Sequence, residues 1–105
     1  MEQPNLSYID QLARGDESVK NTLIDVIKSE FPGEKQEYIE SFEKKEYKKI
    51  EENVHKIKHK ISILGLTKSY EEANKYEHNL REDNIEGAEG FDKILQTISE
   101  YLKTI

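Results

Sequence analysis

The stretch Ile50-Glu51-Glu52-Asn53-Val54-His55-Lys56-Ile57-Lys58-His59-Lys60-Ile61-Ser62-Ile63-Leu64-Gly65 decides the fold. Ile50, Val54, Ile57, Ile61 and Leu64 recur at steps of four, three, four and three, drawing a narrow apolar seam down one face of a helix. Gly65 closes that helix, the position glycine favours at a C-terminus. At about 100° per residue, His55 falls roughly 130° from the centre of the seam, so its imidazole is expected to face solvent. Lys48, Glu52, His59 and Ser62 share its side, with Ile63 beside them as an exposed aliphatic group. Lys58, one turn on from His55, falls between that side and the core.

The same periodicity extends in both directions. Leu6 to Ala13 reads as a short first helix with Ile9 and Leu12 on one side, closed by Gly15. Asp16 is a suitable N-cap for a second helix, whose stripe is Val19, Leu23, Ile24, Ile27 and Phe31. Pro32-Gly33 is expected to kink or briefly interrupt it, after which the pattern resumes through Tyr38, Ile39 and Phe42. Lys44-Lys45-Glu46 reads as a turn. Beyond Gly65, Ser69-x-x-Glu72 reads as a capping box that opens a helix with Ala73, Tyr76 and Leu80 inward. Asp83 to Gly87 reads as a loop, and Phe91, Ile94, Leu95, Ile98, Leu102 and Ile105 form the stripe of a last helix. No segment shows strand alternation between hairpin turns. The expectation is therefore an all-α fold: an antiparallel four-helix bundle capped by a short N-terminal helix, with residues 1–105 as one domain.

Composition narrows the function. With no cysteine, disulfides, thiolate metal sites and cysteine nucleophiles are excluded. Charged residues are 36% of the chain and the formal net charge is −6, which argues against nucleic acid and against anionic membranes as partners. The longest apolar run, Ile61 to Leu66, is broken by Ser62 and Gly65. Met1-Glu2-Gln3-Pro4 lacks the layout of a signal peptide, so a cytoplasmic protein is expected. Lysines 44, 45, 48, 49, 56, 58 and 60 face only Glu46, Glu51 and Glu52 within the same stretch. They read either as a solvated face laced with ion pairs or as a basic docking face for an acidic partner.

The segment from His55 to Gly65 resembles the core motif of histidine phosphotransfer (HPt) domains. That family has a phospho-accepting His, an aliphatic residue two positions on, Lys at the third, Gly at the fourth, and Leu-Gly at the ninth and tenth. Ile57, Lys58, Leu64 and Gly65 match. Tyr76-Glu77 stands where the family has a Leu-Glu pair, while Gly15-Asp16 and Phe31-Pro32 match its Gly-Asp start and second-helix proline. Tyr8, Ile9 and Leu12 suit its opening helix, so the resemblance covers nearly the whole chain. It departs at His59, which replaces the family's Gly. An imidazole there either obstructs a partner's approach or donates a hydrogen bond to a phosphoryl group.

The resemblance implies a carrier rather than an enzyme with its own turnover. His55 would take phosphate from a receiver-domain aspartate and pass it to another receiver. Lys58 would offset charge on the phosphoryl oxygens, with His59 or Ser62 as hydrogen-bond donors, and Lys48, Glu52 and Ile63 would line the docking face. Partners would be receiver domains of response regulators and hybrid histidine kinases, with Mg²⁺ on the receiver, no cofactor on this chain, and a monomeric carrier. The resemblance also favours the docking reading of the lysines. A non-transferring receiver-binding module is the alternative.

Other chemistries find little support. His55 and His59 have the spacing that lets two imidazoles share Zn²⁺, and Glu52-x-x-His55 echoes half of a di-iron motif. No zinc-protease Glu lies between the two histidines, no second Glu-x-x-His occurs, and His78 reads as a surface residue, so the sequence assigns no metal site. The tyrosines read as core and boundary packing. No Gly-rich phosphate loop and no Gly-x-Ser-x-Gly elbow are present.

Overall fold

The computed structural model describes residues 2–105; Met1, the first residue of the expected domain, lies outside them. Five helices follow one another: α1 (Ser7–Ala13), α2 (Glu17–Glu43), α3 (Tyr47–Ile63), α4 (Thr67–Leu80) and α5 (Ala88–Leu102). No strand occurs among the described residues. Contacts run from α2 to α3, α3 to α4, α4 to α5 and back from α5 to α2, with α1 against α2. The result is a helical bundle around one core. No helix among the described residues is long and apolar enough to cross a membrane.

The seam of α3 is the spine of that core. Ile50, Val54, Ile57, Ile61 and Leu64 are all fully buried, each such side chain stabilising the fold by about 1.5–3 kcal/mol relative to exposure. Phe91, Ile94, Leu95 and Ile98 of α5 are buried in the same core cluster. Between α2 and α4 the hydroxyls of Tyr38 and Tyr76 hydrogen-bond to each other at 2.6 Å. That bond satisfies two buried polar groups, with the Phe91 ring packed on both tyrosines.

Local signals explain most helix ends. Asp16 Oδ1 accepts from the Ser18 and Val19 amides at 2.9 and 3.2 Å, so α2 begins where an N-cap carboxylate permits. Gly65, at φ +76°, lets the Leu66 amide return to the Ile61 carbonyl. The site is also crowded: a Cβ on Gly65 would stand 2.5 Å from Asn5 Nδ2. Asn5 itself donates its amide to the Leu64 carbonyl, strapping the N-terminal segment across the α3–α4 corner.

Four expectations are corrected. Pro32 does not interrupt α2, which runs unbroken from Glu17 to Glu43. Pro32 and Gly33 are exposed, so water can serve the carbonyl that proline leaves unpaired, while Phe31 and Tyr38 anchor the helix on both sides. The Ser69-x-x-Glu72 box is not the start of α4. The helix begins at Thr67, and the Glu2 carboxylate accepts from the Lys68 and Ser69 amides at 3.0 and 3.1 Å. Burial pushes the Glu2 carboxyl up, but these amides outweigh that effect and hold it below its usual value. Leu12, on the short α1, and Val19, in the first turn of α2, are exposed rather than inward. Ile63 is half-buried against the core rather than exposed.

Candidate functional site

His55 projects from the middle of α3 with 59% of its side chain exposed. Lys48, Glu52, His59 and Ser62 are exposed on the same helix, as the wheel requires. Helical spacing sets the His55 and His59 rings edge to face, with centroids 5.5 Å apart.

The chemistry of this face is set from α4. Glu77 is buried, and its Oε2 lies 3.3 Å from His55 Nδ1. An ionised carboxylate only accepts hydrogen bonds, so Nδ1 carries a proton, and in the neutral imidazole Nε2 is the nitrogen with the lone pair. Lys58 Nζ pairs with Glu77 Oε1 at 2.7 Å, and Arg81 Nη2 reaches Oε2 at 3.2 Å. Arg81 also donates through Nε to Glu51 at 2.7 Å, tying the C-terminal end of α4 to α3. Burial pushes the Glu77 carboxyl up, but the Lys58 ammonium, helped by His55, outweighs it and leaves the group below the usual carboxylate range. Glu77 is therefore ionised at neutral pH.

Lys58, one turn on from His55, is buried on the side of α3 that faces α4. Its side chain is 9% exposed, engaged by Glu77 and Asn74, with its ammonium 5.3 Å from the Tyr70 ring centroid. It holds the carboxylate that holds His55. The basic stretch is likewise partly neutralised within the fold. Lys56 pairs with Glu37 at 3.5 Å, and Lys60 with Glu30 and Glu34 at 2.9 and 3.4 Å. Lys44, Lys45, Lys48 and Lys49 are exposed and make no ion pair among the described residues. Ile63, tucked against the core, adds only part of its surface to the face.

Glu77, Asn74 and Arg81 were assigned no chemical role from the sequence. For Glu77 a signal existed: Ala73, Tyr76, Glu77 and Leu80 have the spacing of a buried stripe, and a carboxylate on such a stripe needs a cation. No family model, no curated protein and no solved structure matches the chain.

Proposed function

We propose that the chain is a histidine phosphotransfer domain, the phosphoryl carrier of a multistep His-Asp phosphorelay, with His55 as acceptor. One observation carries this reading: a buried, ionised Glu77 stands 3.3 Å from Nδ1 of an exposed imidazole, so that in the neutral ring Nε2 holds the nucleophilic lone pair. The bundle with its short opening helix, α1, supports the HPt-like architecture.

The step balances simply. The Nε2 lone pair attacks phosphorus in the acyl phosphate of a receiver aspartate. A P–N bond forms, the P–O bond breaks, and the aspartate leaves as carboxylate with the electron pair. The imidazole becomes cationic, and Glu77 offsets that charge through Nδ1–H. Transfer to a second receiver reverses the step. The receiver brings Mg²⁺ for its own aspartate, and this chain needs no cofactor. It acts as a carrier, not as an enzyme with turnover. Partners on this reading are receiver domains of response regulators and hybrid histidine kinases, in the cytoplasm, with the carrier monomeric and without nucleic-acid or membrane binding.

A second reading is a receiver-binding module that does not transfer. It is favoured by His59, whose ring stands beside the acceptor where the family has glycine. Incubation with a phosphorylated receiver separates the two. Acid-labile phosphate on His55, absent from a normally folded His55→Gln variant, is the expected result. A variant that accepts phosphate as well as the parent would remove the assignment.

A further inference from the structure

The four-residue spacing of His55 and His59 carries no metal site by itself. Two features of the structure change that. The first is ring geometry. A divalent metal binds imidazole nitrogen at about 2.0–2.1 Å, so a tetrahedral centre shared by two imidazoles sets their centroids about 5 Å apart. The His55 and His59 ring centroids are already 5.5 Å apart, and both residues are exposed, so the ring separation that a shared ion needs is nearly met without moving the backbone. The second is Glu77. A ligating histidine almost always donates its other N–H to a carboxylate or carbonyl, which orients the ring and makes the ligating nitrogen more basic. His55 has that partner 3.3 Å from Nδ1, leaving Nε2 as the ligand atom.

We propose that His55 and His59 form a two-histidine site for a divalent transition-metal ion such as Zn²⁺, and that the bound ion masks His55 Nε2. No third His, Cys, Asp or Glu ligand joins the pair among the described residues, so water completes the coordination and the site is open and exchangeable. Cu²⁺ binds more tightly than Zn²⁺ there, and Mg²⁺ or Ca²⁺, which seek oxygen ligands, do not bind. The masking is geometric and stands without phosphotransfer. Its consequence, metal-dependent silencing of the carrier, rests on the proposed function.

The test titrates Zn²⁺ alone into the metal-free chain and follows the histidine ring nitrogens by NMR. His55 and His59 should shift together and saturate at one ion per chain, while His78, exposed on α4, does not move. His55→Gln and His59→Gln should each weaken binding about tenfold or more, because the second ligand no longer acts intramolecularly. Glu77→Gln should weaken it about tenfold through His55 orientation. Carbethoxylation of His55 by diethyl pyrocarbonate gives a readout independent of any receiver. Zn²⁺ should protect His55 in the native chain and not in His59→Gln. Unchanged Zn²⁺ affinity in His59→Gln, equal protection by Mg²⁺, or no protection at all would overturn the site. A chain that binds Zn²⁺ in this way but takes no phosphate keeps the metal site and loses the proposed function. A chain that takes phosphate while His59→Gln leaves Zn²⁺ affinity unchanged does the reverse.

Discussion

Glu77 Oε2 lies 3.3 Å from His55 Nδ1 while Oε1 of the same carboxylate lies 2.7 Å from Lys58 Nζ, so one buried acid couples a core ion pair to a surface imidazole. Removing either partner of a buried pair costs about 3–5 kcal/mol, because the other charge is left uncompensated, whereas replacing both by apolar groups is often near neutral. Lys58→Met and Glu77→Leu should each lower stability on that scale. The double variant should be more stable than either single one. Urea unfolding of the four proteins measures the cycle, and additive losses would show that the pair is not coupled.

The same carboxylate sets a pH dependence. Its folded-state pKa lies below the unfolded value, so the unfolded chain takes up its proton first as pH falls. The stabilisation from Glu77 is therefore complete above the ordinary carboxylate range, near pH 4.3, and is lost as pH drops through the depressed folded value. Chemical denaturation between pH 6 and pH 2 should show this decline. Glu77→Gln should start less stable and decline less steeply.

A second buried polar pair should behave differently. Among the described residues the Tyr38 and Tyr76 hydroxyls bond only to each other, and burial pushes both up, Tyr76 to about 12, so both stay neutral. Either single change to Phe strands one hydroxyl, at a cost of about 1–3 kcal/mol. The double Phe variant should recover most of that loss. Equal stability of all four proteins would show that water reaches the pair.

For docking, the lysines divide into two groups. Lys56 and Lys60 are paired with glutamates of α2, whereas Lys44, Lys45, Lys48 and Lys49 are not paired among the described residues. On the proposed function, receiver association should weaken as salt rises, since exposed charges are screened over about 10 Å at 0.1 M. Lys48→Glu with Lys49→Glu should weaken association most at low salt and flatten the salt dependence, while Lys56→Gln changes little. The reverse pattern in a binding titration would place the interface further along α3.

His59 tests carrier against binding module. Steric bulk slows transfer if it holds the receiver's aspartate beyond roughly 3–3.5 Å from Nε2. An exposed side chain can turn to another rotamer, so the steric effect should be small, and a protonated His59 should hold phosphoryl oxygens in a charge-assisted bond. His59→Gly should then keep its transfer rate but shorten the phosphohistidine lifetime, more at pH 6 than at pH 8. Much faster transfer with an unchanged lifetime would make His59 an obstruction and favour the binding module.

The all-helical fold, the seam of α3 and the exposure of His55 were legible in the sequence because they depend on periodicity alone. A helix at 3.6 residues per turn fixes which side chains share a face before any partner is known. The cap at Asp16 and the stop at Gly65 were legible for a similar reason, since both act within a few residues. Contacts between distant positions had no such local signal. Glu2 capping α4 spans 66 residues, and Glu77 orienting His55 spans 22. Pro32 carries a strong local signal to break a helix, and packing on both sides of it overrode that signal. Lys58 shows the division most plainly. Its angle on the wheel placed it between solvent and core, but only the carboxylate that α4 brings against α3 made it a buried ion-pair partner instead of a free surface cation.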